Sequence, residues 1–100
     1  MARADVPEGP FRDQGVVLTP PVYAPFYHLV AEAGGRPVEV PLQDDGAAYR
    51  LDLPGIDAAL AAGARAVLLC NPHNPLGLVH AHEELTELAE IVERRGAHVV

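Results

Sequence analysis

One stretch concentrates the side chains best suited to chemistry. Asn71-Pro72-His73-Asn74-Pro75-Leu76-Gly77 sets two carboxamides and an imidazole among two prolines. Proline fixes φ and stiffens its neighbours, so the stretch is a rigid mount for polar groups aimed at a ligand. Taken alone, it reads equally as a binding loop or as a plain structural loop. His80 and His82 with Glu83 have the residue types of a metal cluster. No third well-spaced ligand accompanies them, so they are read as surface residues near a helix start, with no metal. The pairs Asp44/Asp45 and Glu83/Glu84 read as a turn and a solvated helix end.

The absences narrow the chemistry further. All seven basic residues are arginines, and neither lysine nor serine occurs. The chain therefore holds no Schiff-base lysine and no serine nucleophile, and Thr19 and Thr86 are its only aliphatic side-chain hydroxyls. Cys70 stands alone in an apolar run and reads as a buried, reduced thiol. A net charge of −7 has the wrong sign for gripping a phosphate backbone. No apolar run approaches the roughly 18 to 20 residues of a spanning helix, and the first residues lack a signal peptide's apolar stretch. Neither nucleic acid nor membrane is expected as a partner, and the expected location is cytoplasmic.

The elements that must position the loop follow from periodicity and breakers. With 100 residues the chain has room for one small core. Residues 1–15 show no sustained period, with Pro7, Gly9 and Pro10 as breakers, and read as an irregular lead-in. Residues 16–100 read as the folded part. Val16, Val17 and Leu18 make a short strand ended by Pro20 and Pro21. A helix starts near Pro25 and turns Phe26, Leu29, Val30 and Ala33 inward before Gly34 and Gly35. Val38 and Val40 mark a second strand. Tyr49 to Leu53 is a short strand or an extended linker. Pro54 opens a second helix with Ile56, Ala59 and Leu60 on one face, stopped at Gly63.

Ala66 to Cys70 is an unbroken apolar run, the pattern of a strand covered on both faces in a parallel sheet. After the polar loop, a helix over 82–95 carries Leu85, Leu88, Ala89 and Val92 on one face, with acids early and Arg94 and Arg95 late. Ala97 to Val100 begins another strand. This alternation is α/β architecture, a mostly parallel sheet built from βαβ units. Open parallel sheets bind ligands at the carboxyl ends of their strands, where the Asn71–Gly77 loop falls.

The residues also carry a resemblance. Thr19-Pro20-Pro21-Val22-Tyr23-Ala24-Pro25-Phe26, followed by Leu69-Cys70-Asn71-Pro72-His73-Asn74-Pro75-Leu76-Gly77, resembles the aminotransferase class I/II fold among fold-type I pyridoxal phosphate (PLP) enzymes. The cystathionine beta-lyase (MalY/PatB) branch is especially similar. It shares the stretch Asp45 to Asp52 and the Glu83-Glu84-Leu85 segment at comparable positions. The resemblance covers roughly residues 16–100 and implies part of a PLP-binding large domain. It implies that Tyr23 stacks on the cofactor's pyridine ring and that the Asn74 amide donates to its phenolic oxygen. It also implies an Asn74-Pro75 bond that is often cis and, more weakly, a His73 bordering the site.

The activity implied is carbon-sulfur β-elimination, turning an amino acid such as cystathionine into pyruvate, ammonia and a thiol. The alternative is an aminotransferase of the same fold, and a third reading is a non-catalytic, truncated gene product. Intact relatives would be homodimers acting on small amino acids. The family's phosphate-binding turn, its acid facing the pyridine nitrogen and its catalytic lysine have no counterpart here. Ala81 replaces a helix-capping threonine that is common in the family, and Leu76 stands where many relatives have threonine or valine. The chain ends as a strand begins, unlike a self-sufficient domain. By itself it is expected to bind PLP weakly or not at all, and to be inactive.

Overall fold

The computed structural model describes residues 13–22, 24–44, 46, 48–69 and 80–100. Its frame is a four-stranded sheet made of β1 (Gly15–Leu18), β2 (Arg36–Glu39), β5 (Ala66–Val67) and β6 (His98–Val99), in the order β2-β1-β5-β6. Every pairing in it is parallel, with Val17 opposite Val38 and Val67, and Val67 opposite Val99. Parallel neighbours need a crossover, and each is helical. The crossovers are α1 (Pro25–Glu32), α2 (Leu53–Ala61) and α3 (His82–Arg94). The α/β reading holds.

β1 is buried along its whole length because both of its faces are covered. Side chains alternate across a strand, so Val17 joins one core while Val16 and Leu18 join the other. On the first face, Ile56 and Leu60 of α2 and Leu88 and Val92 of α3 pack with Val17 and Val67. On the second, Val30 of α1 packs with Val16, Leu18 and Ala66. Each aliphatic side chain so buried contributes on the order of 1.5–3 kcal/mol. The apolar run from Ala66 is shorter as a strand than the sequence suggests. Its ladder continues even so, with Leu68 N–H donating to Val17 O at 2.9 Å and Leu69 N–H to Val100 O at 3.0 Å. Cys70 lies outside the described residues.

Two helical stripes differ from their expected faces. In α1 the Tyr27 hydroxyl donates to Glu39 Oε1 on β2 at 2.9 Å. Phe26, Tyr27 and Val30 pack inward, leaving Leu29 53% exposed. In α3 the stripe centres on Leu88, with Ile91 rather than Ala89 packed against the core, and Ala89 is exposed. A small hairpin of β3 (Gln43–Asp44) and β4 (Tyr49–Arg50) follows β2. Its turn is held by the Gly46 N–H donating to Asp44 Oδ1 at 2.9 Å, with Gly46 at φ +88°.

Helix ends obey local rules. Pro25 and Pro54 lie in first turns, where a missing N–H costs nothing. Asp52 caps α2 by accepting the Gly55 N–H at 3.0 Å. A Cβ on residue 55 would collide with that carboxylate, which explains glycine there. The C-terminal end of α3 is tied to the middle of α2, where Arg95 Nε donates to Asp57 Oδ1 at 2.7 Å, with Arg94 Nη2 3.4 Å from Asp57 Oδ2. α3 itself begins without a side-chain cap, although Ala81 has the extended backbone of a capping residue, φ −65° and ψ 148°.

Two outcomes follow from these ends. Ala81→Ser supplies the missing acceptor and stabilises the chain by about 1 kcal/mol in urea unfolding; an unchanged midpoint would contradict this account of the cap. The hydrogen bond from Arg95 holds the Asp57 carboxyl below its ordinary value of 3.8. Its contribution is therefore complete above that value and is lost as pH falls through the lower folded value. The stability gap between wild type and Asp57→Asn should be flat from neutral pH to about pH 5 and close at more acid pH. A gap that closes between pH 6 and 8 would assign the effect to another group.

Candidate functional site

The candidate site follows from the position of β1 beside β5. Parallel pairing in register, Val16 with Ala66 and Val17 with Val67, brings both strands to their carboxyl ends at the same sheet edge. From that edge one chain segment continues through Thr19 toward Tyr23, and the other through Leu68 and Leu69 toward Asn74. Tyr23, Cys70, His73, Asn74 and the Asn74-Pro75 bond lie outside the described residues. The described part of the site is thus its frame, two adjacent strands that deliver the two motif-bearing segments side by side. Thr19, the first residue past β1, is fully buried there.

The same edge receives the N-termini of α2 and α3, because these helices carry the chain back to the starts of β5 and β6. Between them lies a recess of about 560 Å³, lined by Tyr49, Arg50, Leu53, Pro54, His80 and Glu84 among others. The Leu51 N–H donates to Glu84 Oε1 at 2.6 Å. The same oxygen lies 3.6 Å from His80 Nδ1. The His80 side chain is fully buried and that of Glu84 is 15% exposed. A carboxylate in the first turn of α3 also complements the positive end of the helix dipole.

This corrects the sequence reading, which placed His80 on the surface and Glu84 on a solvated helix end. His82 and Glu83 are exposed as expected, and among the described residues no group of three or more His, Cys, Asp or Glu could hold a metal ion. The missed signal was the i,i+4 spacing of His80 and Glu84 across an uncapped Ala81. A glutamate at the third position of a helix can fold back onto the backbone N–H of its cap residue; here Glu84 reaches across to Leu51 instead. Chemically the recess is a structural clasp, since the Glu84 carboxylate is already committed to a backbone amide.

The aminotransferase class I and II profile matches residues 10–100. Cystathionine beta-lyase PatB of Bacillus subtilis is 38% identical over 86 residues, which are 85% of this chain and 22% of that protein. N-succinyldiaminopimelate aminotransferase from Mycobacterium tuberculosis superposes with a TM-score of 0.80 at 34% identity, over 94% of this chain and 24% of its own. Cystalysin from Treponema denticola, whose structure contains pyridoxal 5'-phosphate, superposes with a TM-score of 0.80 at 27% identity, over 92% of this chain and 23% of its own. The sequence is related to cystathionine beta-lyases and aminotransferases alike. It spans about a quarter of the length of the curated relatives it matches.

Proposed function

Because the chain belongs to the aminotransferase class I and II family, we propose that residues 16–100 are part of the large domain of a PLP-dependent enzyme acting on small amino acids. The observation that carries this is the parallel β1–β5 pairing, which directs the segments bearing Tyr23 and Asn74 from one sheet edge. Tyr23 would hold the cofactor by presenting a flat π-face, and Asn74 by donating its amide to the phenolic oxygen. Pyridoxal phosphate, when bound, draws electrons from the substrate's α-carbon. The buried β1 and Thr19 lead into one segment, while β5 supplies the other.

Two reactions are open to such an enzyme, and both are proposals. Carbon-sulfur β-elimination is favoured by the beta-lyase relatives, such as PatB, that match most of this chain. Transamination is favoured by the 0.80 superposition on an aminotransferase at 34% identity. The amine that both reactions need to move the α-proton is not among these 100 residues, since the chain has no lysine. The whole enzyme is proposed to be a cytoplasmic homodimer. This chain alone is proposed to hold the cofactor weakly and to turn over nothing.

The expected outcome is weak, reversible PLP binding by the full chain, read by fluorescence quenching, with no pyruvate released from cystathionine. Tyr23→Ala and Asn74→Ala should each weaken binding about two- to tenfold, the range for loss of one stacking or one amide contact. Binding that ignores both substitutions would overturn the site assignment. Turnover that persists after the Met1 α-amino group is blocked would overturn the claim of inactivity.

A further inference from the structure

We draw no further inference here: the strongest candidate, the recess lined by Tyr49, Arg50, His80 and Glu84 between the N-termini of α2 and α3, belongs to the site already described, and nothing in the structure shows what would occupy it.

Discussion

The parallel pairing of β1 with β5 is the constraint on which the rest depends. Both strands are covered on both faces, so neither can shift by one residue without exchanging its two sets of buried side chains. Val17 and Val67 would leave the α2–α3 core, and Val16 and Ala66 would leave the core under α1. That register places the carboxyl ends of two neighbouring strands side by side. It also obliges the chain to return through helices, which brings the N-termini of α2 and α3 to the same edge. The frame of the candidate site is therefore a consequence of core packing, with no separate device needed to build it.

On top of that frame, polar ties join neighbouring elements. Asp52 caps α2, Asp57 takes both late arginines, and Glu39 receives the Tyr27 hydroxyl. Burial is the main reason that Tyr27 holds its proton to higher pH than an ordinary phenol, with the Glu39 contact adding to it. That contact consequently persists from neutral pH upward and is lost only as pH rises through the raised value. Glu84 differs from the others because it accepts from a backbone N–H 33 residues away. It combines the roles of first-turn acid, backbone acceptor and neighbour of a buried imidazole.

Much of this was legible in the residues. Pro25 and Pro54 mark helix starts, and Gly34, Gly63 and Gly96 mark stops that require positive φ. The apolar runs at Val16 and Ala66 announce strands buried on both sides. What was not legible is tertiary. Leu29 and Ala89 are apolar at helical spacing, yet both are exposed in the folded chain, where Val30 in one helix and Leu88 and Val92 in the other are the buried residues. β4 falls within the Tyr49–Leu53 stretch read as a short strand or linker, but β3 is two exposed residues with no alternation to betray it. The i,i+4 spacing of His80 and Glu84 lay in the sequence, but the Leu51 N–H that engages Glu84 comes from 33 residues away.

The central claim is that the segments leaving β1 and β5 serve one ligand. Intermolecular nuclear Overhauser effects between PLP and the isotope-labelled full chain test it most directly. The account predicts that the same pyridine ring contacts both the Tyr23 ring and the Asn74 side-chain amide. Contacts confined to residues at the opposite sheet edge, such as Gly63 and Gly96 beside the starts of β5 and β6, would contradict it.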